Sequence, residues 1–152
     1  MNSLKFERLL VAVDGSENAV RAAKAAIMLA SKFEAELIVC HAIQAPFYSL
    51  TQDRLVIPRD VLKDYIIAAR EDAKAMVGKL LQLAEAAHVK AISVILENTF
   101  SVVEAIVNLA ATRKVDLIII GTRGQTGFKK LLMGSVSSGV MNHAKCPVLV
   151  VR

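Results

Sequence analysis

Gly121-Thr122-Arg123-Gly124 and, after a nine-residue gap, Gly134-Ser135-Val136-Ser137 have the composition of a phosphate cradle. Gly121 directly follows Asp116-Leu117-Ile118-Ile119-Ile120, a short apolar run rich in β-branched residues, and Gly134 opens a segment that reads as a helix. Glycines let a backbone approach an anion closely. The N–H groups at a helix start point at that anion, with the helix dipole favouring its charge. A second junction of the same kind carries a carboxylate: Leu9-Leu10-Val11-Ala12-Val13 runs into Asp14, and Gly15-Ser16 then starts another helix. Each piece has a plainer reading when taken alone. Asp14-Gly15-Ser16 serves equally as a turn and helix cap, the glycines as turns, and Ser135 as an N-cap.

Other chemistries are not assembled. The chain has no G-x-x-x-x-G-K-[ST] loop, no G-x-G-x-x-G after its first strand and no G-x-S-x-G elbow. No residue is dedicated to orienting an attacking water, and Arg123 is only a weak candidate for a transition-state arginine. No catalytic residue is assigned. Cys40 and Cys146 form no CxxC pair and are expected as buried, reduced thiols inside strands. The histidines show no metal-ligand spacing, and His41, next to Cys40 on a strand, points to the opposite face. The net charge of +5 comes from scattered basic residues interleaved with acids, and there is no Trp. That pattern is a solvated surface and not a nucleic-acid groove.

The elements that must position these groups follow from periodicity. Residues 8–14, 36–43, 89–96, 116–121 and 146–152 read as strands. Residues 16–33 have helical apolar spacing, with Ser16 as N-cap and Glu17 favourable to the dipole. Residues 59–87 read as one long amphipathic helix through Leu62, Ile66, Ala69, Ala73, Met76, Leu80, Ala84 and Ala87, weakened at Gly78. Ser101-Val102-Val103-Glu104 matches a capping box that starts a helix to about Lys114, and a short helix spans about Gly134 to Ala144. Residues 44–58, with Pro46 and Pro58, form the longest irregular segment. Strictly alternating apolar strands and helices imply an α/β fold: a parallel sheet covered on both faces, in a single domain over residues 1–152. Ligands of such sheets bind beyond the carboxyl ends of the strands, where Asp14 and Gly121 both fall. No apolar run reaches the ~18–20 residues that span a bilayer, and the first residues lack the apolar core of a signal peptide. The expectation is a cytoplasmic protein with no membrane association.

The spacing Gly121-x2-Gly124-x9-Gly134-Ser135, with Asp14 after the first strand and Pro147-Val148-Leu149-Val150-Val151 at the end, resembles the universal stress protein family. Within it, this glycine pattern marks the members that bind ATP. The resemblance covers essentially the whole chain. It implies a Rossmann-like three-layer sandwich with a five-stranded parallel sheet of order 3-2-1-4-5, and a homodimer joined along strand five, Pro147–Val151. It implies an adenine-nucleotide site as well. Asp14 would accept hydrogen bonds from the ribose hydroxyls. Main-chain groups near Ala12 and Ala42 would hold the adenine, with Ile120 lining its pocket. Gly121 and Gly124 would admit ribose and phosphates, and Ser135, Val136 and Ser137 would bind phosphates through N–H groups and hydroxyls. Mg²⁺ is expected with ATP. Ala12 is a departure, because some ATP-binding relatives carry proline there. Arg123, Lys129 and Lys130 either add phosphate contacts or are solvated. The implied role is a nucleotide-dependent stress-response switch with little or no hydrolysis and a regulatory protein partner of unknown identity. A slow ATPase or nucleotide-transferring enzyme, and a nucleotide-free interaction module, are the alternatives.

Overall fold

The computed structural model describes residues 5–45, 58–123 and 133–152. Gly124, Lys129 and Lys130 lie outside the described residues, as does Pro46. The elements run β1 (Arg8–Ala12), α1 (Glu17–Phe33), β2 (Glu36–Gln44), α2 (Arg59–Ala86), β3 (Ala91–Thr99), α3 (Val102–Thr112), β4 (Leu117–Gly121), α4 (Ser135–His143) and β5 (Val148–Val151). The strands form one sheet of order β3-β2-β1-β4-β5, and every neighbouring pair is parallel. This is the α/β sandwich and the strand order expected from the sequence.

Side chains alternate across each strand and build two cores. Leu9, Val11, Leu37 and Val39 face α1 and α2, meeting Ala22, Ala26, Val77 and Leu80. Leu10, Ile38, Ile118 and Ile120 face α3 and α4, meeting Ile106, Ala110 and Val140. The alanines of α1 matter here. Ala19, Ala22, Ala23, Ala26 and Ala30 are all buried, so this helix lies close to the sheet. In α2 only Ala73, Val77, Leu80 and Ala84 are buried. The expected stripe through Leu62 and Ile66 therefore does not reach the core, and the front half of α2 overhangs the carboxyl ends of the strands.

Three helix-to-strand joints share one geometry. Glu34, His88 and Lys114 adopt left-handed φ values of 54°, 59° and 54° after α1, α2 and α3. The next residue then donates its N–H back across the helix end at 2.9 Å: Ala35 to Ala30, Val89 to Ala84 and Val115 to Ala110. This is the Schellman closure, which satisfies carbonyls at the helix end, and each of these apolar pairs is buried. At the amino ends of the strands, Asp116 Oδ2 accepts from the backbone N–H groups of Glu7 (2.7 Å) and Arg8 (2.8 Å). That end of the sheet is cross-tied before any ligand is considered.

β1 stops at Ala12, two residues short of the expected end, and β5 begins at Val148, not at 146. Cys146 therefore lies outside a strand and is partly exposed, contrary to expectation, whereas Cys40 is buried in β2 as expected. Pro147 accounts for the late start of β5: it has no N–H to give to a ladder. Among the described residues, no helix is long and apolar enough to cross a membrane.

Candidate functional site

The carboxyl ends of β1, β2 and β4 open into a cleft of about 950 Å³. Ten of the eleven site residues expected from the sequence line it. Ala12 and Asp14 come from the end of β1, Ala42 from β2, and Ile120, Gly121 and Arg123 from the end of β4. Gly134, Ser135, Val136 and Ser137 come from the start of α4. The remaining one, Gly124, lies outside the described residues.

Asp14 is held by its own turn. Its Oδ1 accepts from Ser16 N at 2.9 Å, and Gly15 between them has φ 84°, a conformation glycine adopts without strain. Ser16 then caps α1, its Oγ accepting from Ala19 N at 3.2 Å, as expected. The same hydroxyl donates to Arg123 O at 3.4 Å, which links the Asp14 turn to the loop after β4.

The start of α4 is tied to the end of β4. Gly134 N donates to Thr122 O at 2.6 Å, and the Ser137 hydroxyl donates to Gly121 O at 2.7 Å. Ser137 is 3% exposed and its single proton points inward. Its hydroxyl thus holds the helix in place and does not stand ready for a phosphate. The N-cap of α4 is Gly134, which has no side chain to accept from the first-turn amides. Those amides have no carbonyl partner within the helix. An uncapped helix start, with its dipole and N–H groups at a cleft, is suited to an anion. Gly121 has a packing role besides: a Cβ there would lie 2.9 Å from the backbone C and O of Asn18 in α1. Gly134 is nearly as confined, with Thr122 O 3.2 Å from the position of a Cβ.

The floor of the cleft is apolar on the α3 and α4 side, where Val102, Ile106 and Val136 join Ala12, Ala42 and Ile120. Main-chain direction decides what Ala42 offers. Glu36 N donates to Glu7 O and Cys40 O accepts from Val13 N, so even-numbered residues of β2 face β1. Leu37 N donates to Lys90 O, so odd-numbered residues face β3. Ala42 therefore turns its N–H and C=O toward β1, beyond the point where β1 has ended.

Sequence reasoning missed the second wall. Tyr65, Ala69, Asp72 and Met76 of α2 line the cleft, as does His41. The steps of four, three and four residues in α2 are a helical stripe, and the signal was present in the spacing. Ala69 and Met76 belong to the expected apolar stripe as well, and the polar Tyr65 and Asp72 beside them read in the sequence as the solvated flank of that stripe. Cys40 also borders the cleft, and burial pushes its thiol up to about 12, so it is a poor nucleophile. Among the described residues, no three His, Cys, Asp or Glu side chains gather to hold a metal ion.

The universal stress protein family model matches residues 5–152. The chain belongs to the universal stress protein family. A universal stress protein of Methanocaldococcus jannaschii is 33% identical over 97% of this chain and 82% of its own length. The solved universal stress protein UspA of Lactobacillus plantarum is 25% identical, covers 97% of this chain and 99% of that one, and superposes with a TM-score of 0.85. A universal stress protein solved in complex with cAMP is 27% identical over 97% of this chain and 98% of that one, with a TM-score of 0.71.

Proposed function

We propose that this universal stress protein binds an adenine nucleotide in the cleft, ATP foremost, and acts as a nucleotide-dependent regulatory switch with little or no hydrolysis. The observation that carries this reading is the convergence of an uncapped helix start, a carboxylate and an apolar floor on one cleft. The N–H groups of Ser135 and Val136 receive phosphate. Asp14 accepts from the ribose hydroxyls; a carboxylate can accept about four hydrogen bonds, so the Ser16 bond is compatible with that role. The base lies over Ala12, Ala42 and Ile120, with the main chain of Ala42 as its hydrogen-bonding edge. Gly121, Gly134 and Ser137 keep β4 and α4 close enough to form the phosphate end, and Arg123 adds charge there. The relative solved with cAMP supports an adenine nucleotide as the ligand class.

Mg²⁺ fits only as an ion carried by the phosphates. The described residues supply no cage for it, and Mg²⁺ commonly binds through phosphates, waters and one or two carboxylates. The switch reading includes a cytoplasmic location, a homodimer along β5 and a regulatory protein partner, with no nucleic acid or membrane as ligand. Mass spectrometry of small molecules released by acid from the purified protein, followed by calorimetric titration with ATP, AMP and cAMP, tests the proposal. A protein that carries no nucleotide and gives no binding heat with any of the three refutes it. Multiple-turnover phosphate release well above background would replace the switch with a slow ATPase.

A further inference from the structure

His41 does something at the edge of the cleft that the nucleotide reading does not use. Val13 N donates to Cys40 O at 2.8 Å, which is the last main-chain bond from β1 to β2. In a parallel ladder that ran one step further, the Val13 carbonyl would accept the N–H of Ala42, two residues beyond Cys40. Instead it receives Nδ1 of His41 at 2.8 Å. A carbonyl only accepts, so Nδ1 carries the proton of the ring. The imidazole has taken the place of the next main-chain donor.

We infer that His41 is a positioning residue that terminates the β1–β2 ladder and so keeps the Ala42 N–H available to a ligand. β1 separates from the sheet at Val13 because a side chain of β2 satisfies its carbonyl. The amide that would have closed the ladder is left facing the cleft, beside the apolar floor formed by Ala12 and Ile120. A buried or half-buried carbonyl left without a donor is costly, so the imidazole bond makes the early exit of β1 stable. Two consequences are specific. Neutral His41 holds the Nδ1–H tautomer, and a donor at the Nδ1 position suffices, which asparagine can provide with its amide nitrogen and leucine cannot.

The ligand arm of this inference rests on the nucleotide reading, and the spectroscopic arm does not. In the ligand-free protein at mildly alkaline pH, ¹⁵N–¹H correlation of the histidine rings is expected to show a protonated Nδ1 for His41. The Ala42 amide is expected to exchange faster with solvent than the amides of Val39 and Cys40. In His41→Leu the freed carbonyl captures Ala42 N–H and that amide becomes protected; in His41→Asn it stays open. AMP and ribose 5-phosphate then serve as probes. His41→Leu should weaken AMP by about three- to tenfold, the effect of one lost hydrogen bond. It should leave ribose 5-phosphate unchanged, and His41→Asn should restore AMP binding. An Nε2–H tautomer in the wild type overturns the assignment without any variant. So does an Ala42 amide already protected in the wild type, equal weakening of AMP and ribose 5-phosphate, or His41→Asn as weak as His41→Leu. If the wild type binds AMP not at all, the nucleotide reading falls, and the tautomer and exchange measurements still decide the role of His41.

Discussion

Asp14 has two tasks that can be separated by substitution. Its Oδ1 closes the turn onto Ser16 N, and in the proposed function the carboxylate also receives the ribose hydroxyls. Asp14→Ala removes both and should weaken AMP by ~1–3 kcal/mol, as expected for charge-assisted hydrogen bonds left unmade. Asp14→Asn keeps an oxygen for the turn and loses the charge. It should melt close to the wild type yet bind AMP more weakly. Calorimetry alongside thermal unfolding checks both statements, and native affinity in a folded Asp14→Ala protein would exclude the residue from the site. Residue type and spacing singled out Asp14, Gly121, Gly134 and Ser135, but each also has a plain use as turn, cap or close-packing residue, and it is the fold that brings all four to one cleft. Ser137 was legible as a site residue but not in its task. Whether a hydroxyl faces a ligand or the neighbouring carbonyl of Gly121 depends on a tertiary contact that no local pattern encodes. His41 was hidden for the same reason, its partner Val13 being 28 residues away.

The helices carry two glycines whose substitution by alanine should have opposite effects. A Cβ at Gly78, in the middle of α2, would meet nothing within 4 Å. Gly78→Ala should therefore stabilise the protein by about 0.5–1 kcal/mol through helix propensity alone. At Gly139 of α4, a Cβ would come within 2.6 Å of Val103 Cγ2 on α3. Gly139→Ala should destabilise by ~1–3 kcal/mol, because α3 and α4 would have to part. Paired denaturant melts decide the matter, and a shared sign for the two variants would contradict the packing described. Periodicity made the kind and order of these elements readable, since apolar β-branched runs and three- to four-residue stripes are hard to confuse at these lengths. The helix ends at Phe33, Ala86 and Thr112 fall within two residues of their expected positions, although no glycine or proline announces a stop. The strand ends were less readable: β1 stops at Ala12, where His41 of β2 bonds the next carbonyl, β3 runs on to Thr99, and β5 starts only after Pro147.

The sheet has an open side at β5, which pairs only with β4 among the described strands. Val148 and Val150 pack into the core beside α3 and α4, whereas Leu149 is 38% exposed. An uncovered apolar edge invites pairing with a second copy, and a two-fold pairing closes on itself. Sedimentation should show a dimer at micromolar concentration, and Leu149→Lys should give a monomer with a native circular dichroism spectrum; a monomeric wild type would remove the proposed interface. The three helix-to-strand joints have a consequence of another kind. A non-glycine residue in the left-handed region costs roughly 1 kcal/mol, and this chain places one at each joint. Against the ~5–15 kcal/mol that separates a folded domain from its unfolded chain, that sum is appreciable. Glycine at these joints would relieve that strain, offset in part by the greater freedom it gives the unfolded chain. A ligand present at a hundred times its dissociation constant adds about 2.7 kcal/mol by mass action. If the cleft takes the nucleotide proposed for it, that addition is of the same size as the strain summed over the three joints, so that occupancy registers as resistance of the whole molecule to unfolding.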